Sequence, residues 1–166
     1  IMHDRIEAYG VVLIMIGIGG RLWSTLYVGG RKAAQLVTIG PYSITRNPLY
    51  LFSSVAAAGA GAQMGSLVAT LGFGFLCAVT FYFVILREER FLGEAMGEPY
   101  QVYKSVVPRF FPKFRLYRDN EEVTFRPRML KNTLLDGLVF FLSIPTFELI
   151  ELAQEKSRIP ILFILP

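Results

Sequence analysis

Three short stretches of this chain gather side chains that can hold charged or hydroxylated ligands. The first is Gly40-Pro41-Tyr42-Ser43-Ile44-Thr45-Arg46-Asn47-Pro48-Leu49-Tyr50. Arg46 can pair with an anion, and Asn47 offers both a donor and an acceptor. Asn47-Pro48 is also a helix-starting pair, because proline suits the first helical position and asparagine can cap it. The unsatisfied N–H groups of such a helix start favour an anionic or polar ligand. The same residues suit an interfacial turn in which the arginine meets lipid phosphate and the tyrosines join an aromatic belt. The second stretch, Arg87-Glu88-Glu89-Arg90, ends a long apolar run. Adjacent carboxylates there must be paired or hydrated, by their own flanking arginines or by a cationic or hydroxyl-rich ligand. The third runs from Gly97 through Tyr100 and Tyr103 to Val107-Pro108-Arg109-Phe110-Phe111-Pro112. Its two tyrosines, three residues apart, share one face of a short helix.

Some chemistry is excluded by residue type. The 166 residues contain one cysteine, Cys77, and one histidine, His3, remote from each other. A zinc site of the usual Cys/His kind is therefore not expected, nor is any other metal centre. A histidine-based nucleophilic triad would have to use His3, at the end of the chain. No disulfide can form within the chain.

The elements that must position these stretches are membrane helices. Hydrophobic residues make up 53% of the chain and charged ones 18%, and the mean hydropathy is +0.45. Leu49 to Leu86 is a run of 38 residues without a charge, close to two crossings of roughly 20 residues each. The expected turn lies within Gly59–Ser66, giving helices over about Pro48–Ala62 and Ser66–Arg90. A first helix is expected over about Ile6–Tyr27, with Arg21 snorkelling toward the headgroups. A fourth is expected over about Thr133–Ile150, where Pro145 leaves open a tilted crossing or a re-entrant piece. The tail Ile159–Leu165 is too short to cross. Small residues from Ala56 to Ala62 suit close helix packing.

Orientation follows from the basic residues. Of 17 Lys and Arg, three (Arg31, Lys32, Arg46) lie in Gly29–Asn47 and ten in Arg87–Asn132. A hairpin between them puts both segments on one side of the membrane, which the positive-inside rule makes cytoplasmic. The basic loop Lys113–Lys131 suits anionic lipid, and nucleic acid is not an expected partner.

Taken together, the order Gly-Pro-Tyr-x-x-x-Arg-Asn-Pro-x-Tyr, apolar hairpin, Arg-Glu-Glu, Gly-x-x-Tyr-x-x-Tyr-x-x-x-Val-Pro-Arg resembles the isoprenylcysteine carboxyl methyltransferases and related membrane phospholipid methyltransferases. The resemblance covers about Leu36 to Pro112. It implies an all-α, polytopic integral membrane protein of about four to five membrane helices, with a helical hairpin and a cytoplasmic-side cofactor pocket. Residues 1–166 would form one membrane domain, with core motifs at 36–112 and a C-terminal extension at 113–166. The implied activity is methyl transfer from S-adenosylmethionine to a lipid-like or small hydrophobic acceptor, a carboxylate, amine or thiol. Carried over, Arg46, Pro48, Tyr50, Glu88 and Glu89 would bind the cofactor, with Gly40 and Tyr42 shaping the approach. Asn47 stands where the family motif has histidine. It can hydrogen-bond but cannot carry a proton between about pH 5 and 8. Arg46 and Arg109 are the candidates to hold a carboxylate acceptor at the methyl carbon. A related Arg-His-Pro-x-Tyr segment occurs in membrane reductases of the sterol-reductase kind, which use a nicotinamide cofactor; no G-x-G-x-x-G fingerprint after a strand is found here. A non-catalytic lipid-binding module is the third reading.

Overall fold

The computed structural model describes residues 2–29 and 35–156, and among them every regular element is a helix. Arg31, Lys32 and the tail Ile159–Leu165 lie outside the described residues. Three helical stretches are long and apolar enough to cross a membrane, Arg5–Val28, Leu67–Met96 and Pro127–Ile150. The protein is an integral membrane protein.

Helix α1 (Met2–Val28) packs along α3 (Pro48–Ala62), and α3 turns back into α4 (Leu67–Met96). The turn is Gln63-Met64-Gly65, with Gly65 at φ 62° and Ser66 accepting the Ala69 N–H as a side-chain cap. Small residues set the helix spacing. A Cβ on Gly59 would stand 2.6 Å from the Gly10 carbonyl oxygen, and one on Gly17 would stand 2.7 Å from the Ala56 nitrogen. The glycines and alanines of α3 thus serve backbone approach, as expected of small residues between membrane helices. The outer face of α4 leaves Leu71, Phe75 and Leu76 exposed, which is the face that meets lipid.

Four expectations need correcting. Helix α4 continues six residues beyond Arg90 to Met96, so Glu88 and Glu89 lie inside the helix rather than at its end. The fourth helix starts at Pro127, because Arg126-Pro127 supplies an extended residue followed by proline at the first helical position. It runs as α6 (Pro127–Leu138), tightens into a 3-10 turn at Val139–Leu142, and continues as α7 (Ser143–Lys156). Asn47 precedes α3 but makes no side-chain cap. Arg21 does not snorkel; it is part-buried, beside the buried stripe of α1, and donates to Ser53 Oγ on α3.

Between these helices, α2 (Pro41–Ile44) is a single buried turn, and α5 (Glu98–Val106) follows α4 through Gly97 at φ 62°.

Candidate functional site

The three stretches meet at one end of the bundle. Gly40 turns the chain into α2 at φ 58°, and its missing Cβ leaves room for the Tyr27 ring, which a Cβ would meet at 2.3 Å. That turn aims Tyr42 inward and carries the chain to Arg46 and Asn47 at the start of α3. Tyr103, from α5, donates its hydroxyl to the Tyr42 carbonyl at 2.7 Å. Burial pushes the phenols of Tyr42 and Tyr103 well above their ordinary range, so both stay protonated donors at physiological pH.

The segment leaving α5 lies against the first stretch. Arg46 N–H donates to the Pro108 carbonyl at 2.9 Å, and Thr45 Oγ1 donates to the Phe110 carbonyl at 3.0 Å. Lys113 N–H donates to the Ile44 carbonyl at 2.9 Å, and Gly40 N–H to the Arg118 carbonyl at 2.7 Å. These bonds satisfy the polar backbone of two irregular segments against each other.

At their junction sits Glu89, only 5% exposed. Its Oε1 stands 3.0 Å from Arg46 Nη1, and its Oε2 stands 3.0 Å from Arg109 Nη2 and accepts from Arg109 Nε at 3.1 Å. Asn47 Nδ2 donates to the Arg109 carbonyl at 2.9 Å and approaches Glu89 Oε1 at 3.5 Å. The hydrogen bond that Arg109 donates to Glu89 raises the Arg109 pKa further. Arg109 also lies over the Tyr82 ring, 5.6 Å from its centroid. Glu88 points elsewhere and accepts the Tyr50 hydroxyl at 2.7 Å. The carboxylate pair thus divides its work, and the arginines that hold Glu89 are Arg46 and Arg109 rather than the flanking Arg87 and Arg90.

Beside this cluster is a cavity of about 170 Å³, lined by Tyr42, Arg46, Asn47, Leu92, Met96 and Tyr100 among others. Arg46 Nε is buried with no hydrogen-bond partner among the described residues. Of the residues expected at the site, Tyr42, Arg46 and Asn47 line this cavity. Gly40, Pro48, Tyr50, Glu88 and Glu89 do not, although Glu89 holds Arg46 in place. A second, mostly apolar cavity of about 370 Å³ shares Leu36 and Tyr103 with it. Leu92, Met96 and Tyr100 had not been singled out as ligand contacts. Their signal is the run of α4 past Arg90 to Gly97, whose positive φ folds α5 back onto the cluster.

Residues 6–98 match the family model described as phospholipid methyltransferase. The chain is 36% identical over 131 residues to the cobalt-zinc-cadmium resistance protein CzcN of Cupriavidus metallidurans, covering 79% of this chain and 60% of that protein. It is 31% identical over 157 residues to the nickel-cobalt-cadmium resistance protein NccN of Alcaligenes xylosoxydans xylosoxydans, covering 95% and 73%. It is 34% identical over 81 residues to the protein-S-isoprenylcysteine O-methyltransferase of Schizosaccharomyces pombe, covering 49% and 34%. No solved structure matches.

Proposed function

The chain belongs to the phospholipid methyltransferase family, and from that premise we propose that it carries a methyl group from S-adenosylmethionine to a lipid-like or small hydrophobic acceptor. The observation that carries the reading is the buried Arg46 with an unpartnered Nε at the wall of a largely apolar, aromatic cavity. Such a site fits a ligand that combines a carboxylate with a flat heterocycle, as S-adenosylmethionine does. Arg46 would take the carboxylate, and Leu92, Met96 and Tyr100 would flank the heterocycle. The sulfonium supplies an activated methyl when bound, so the protein's task is alignment. Holding reactants in line can remove roughly 7–11 kcal/mol of barrier.

In this reading Glu89 fixes the Arg46 guanidinium against the cavity. Asn47 supplies hydrogen bonds and no proton transfer. Arg109, about a third exposed, reaches from the same cluster toward the acceptor's acidic group. The neighbouring 370 Å³ cavity supports an apolar acceptor beside the cofactor. The reading takes residues 1–166 as one membrane domain with its core at 36–112 and counts α3 as a fourth membrane helix. The thirteen Lys and Arg of the two basic segments support a cytoplasmic site. The names of the two metal-resistance relatives support placing the methylation in resistance to such metals.

Calorimetric binding of S-adenosylmethionine and S-adenosylhomocysteine to the protein in nanodiscs tests the reading. Micromolar binding is expected, lost in Arg46→Ala and weakened at least tenfold in Glu89→Gln. Folded protein that binds neither compound would overturn it, and a nicotinamide cofactor would be the next to try.

A further inference from the structure

Arg21 is a charged residue inside a membrane span, and it is not part of the cavity cluster. It lies beside the buried stripe of α1 that runs through Ile14, Gly17 and Ile18 to Ser24 and Thr25. Seven residues separate it from Val28 at the basic end of the span, roughly 10 Å along the helix axis. An arginine at that depth ordinarily extends its head to the interface. Here it turns inward and donates through Nη1 to Ser53 Oγ on α3, a residue 2% exposed. Ser53 in turn donates to the Leu49 carbonyl at 2.8 Å, so its hydroxyl has no further proton to offer. Arg21 Nε is buried and meets no acceptor among the described residues. Among the described residues no carboxylate pairs with it; Glu89 pairs with Arg46 and Arg109 instead. Arg21 as a whole is nevertheless only part-buried.

A guanidinium held in a low-dielectric setting by a single hydroxyl is costly unless an anion completes it. A carboxylate or phosphate group accepts from two guanidinium N–H groups at once, which suits a planar fork whose Nε has no acceptor. We infer that Arg21, positioned by Ser53, forms an intramembrane anion site that takes the acidic head of a lipid, a phosphate or a carboxylate. The site goes beyond the cofactor reading and does not depend on it, since no residue is shared with the Arg46–Glu89–Arg109 cluster.

The test uses the full chain in phosphatidylcholine nanodiscs doped with spin-labelled phosphatidylglycerol, spin-labelled stearate or spin-labelled phosphatidylcholine. Wild type should hold at least one anionic probe in the motionally restricted fraction several-fold more than the phosphatidylcholine probe. Retention of phosphatidylglycerol alone identifies a phosphate head, and of stearate alone a carboxylate. Arg21→Gln should lower the anionic preference at least threefold, while Arg90→Gln, on the same basic side but away from Ser53, should leave it unchanged. A wild type without anionic preference overturns the site whether or not the variant folds. So does an Arg21→Gln protein with native helicity and undiminished preference, or an equal loss in Arg90→Gln.

Discussion

At the scale of single residues, Asn47 shows how one side chain is fixed by the polarity of its neighbours. Both groups it faces, the Arg109 carbonyl and Glu89 Oε1, are acceptors. The position therefore demands a donor rather than an anion or a base. Asn47→Ala should cost about 1 kcal/mol, the ordinary value of a lost hydrogen bond. Asn47→Asp should cost more than Asn47→Ala, because it sets a second carboxylate against Glu89. Asn47→His can still donate and should rank as the mildest of the three. Thermal midpoints in one detergent order the variants, and an Asp variant as stable as the Ala variant would contradict the assignment of donor and acceptors. Glu89 is the more sensitive centre. Its removal leaves two guanidinium groups facing each other around a buried site, so Glu89→Ala should cost about 3–5 kcal/mol. Arg109→Ala removes a partly exposed partner and should cost about 1 kcal/mol or less. A reversed order in the same melts would place the buried charge on the wrong residue.

At the scale of elements, the membrane helices are legible from runs of apolar residues, and their ends are legible where local chemistry decides them. Pro48 and Ala62 bound α3 as expected, since proline and the Gln63-Met64-Gly65 turn leave the chain few choices. The end of α4 is not legible in the same way. Arg87 to Arg90 read as the exit from the membrane, but a helix that leaves the bilayer has no reason to stop at its surface, and only Gly97 breaks it. The Glu89 partners are also hidden from sequence, because Arg46 and Arg109 lie 43 and 20 positions away in a chain folded through two irregular segments. Arg21 was misjudged because snorkelling depends on what the opposite helix offers, and Ser53 offers an acceptor. The irregular segments have their own tie to α1. Tyr27 donates to both Asp119 oxygens, at 2.8 and 2.9 Å, and Tyr117 donates to Oδ2 at 2.6 Å. The Tyr117 and Tyr27 hydroxyls hold the Asp119 carboxyl below its usual value of 3.8. A depressed carboxylate contributes above that value, and the contribution is lost only as pH falls below it. The tie is therefore constant across the neutral range. Asp119→Asn should loosen it at pH 7, read as faster amide exchange in 113–126, whereas wild type should show no such change between pH 5 and 8.

For the whole molecule, charge and packing together bear on which side of the membrane the basic end faces. The hydrophobic band is set by α1, α4 and the α6–α7 stretch, whose outer faces are apolar. Toward one end of that band lie the Arg46–Glu89–Arg109 cluster and the cavity beside it; toward the other lies the Gln63–Gly65 turn, where Gln63 donates to the Glu7 carbonyl near the start of α1. Lys and Arg near the ends of spans resist translocation, and ten of them fall between Arg87 and Asn132. On the proposed reading, that asymmetry predicts a cytoplasmic cavity end, within reach of a water-soluble methyl donor. Single cysteines placed in a Cys77→Ser background read this out. A membrane-impermeant maleimide added to intact cells should label Met64→Cys, in the turn, and spare Glu121→Cys, an exposed position of the basic segment. Permeabilised cells should label both. Labelling of Glu121→Cys alone in intact cells would invert the protein and cut the cavity off from a cytoplasmic cofactor, so the same experiment constrains the topology and the proposed chemistry.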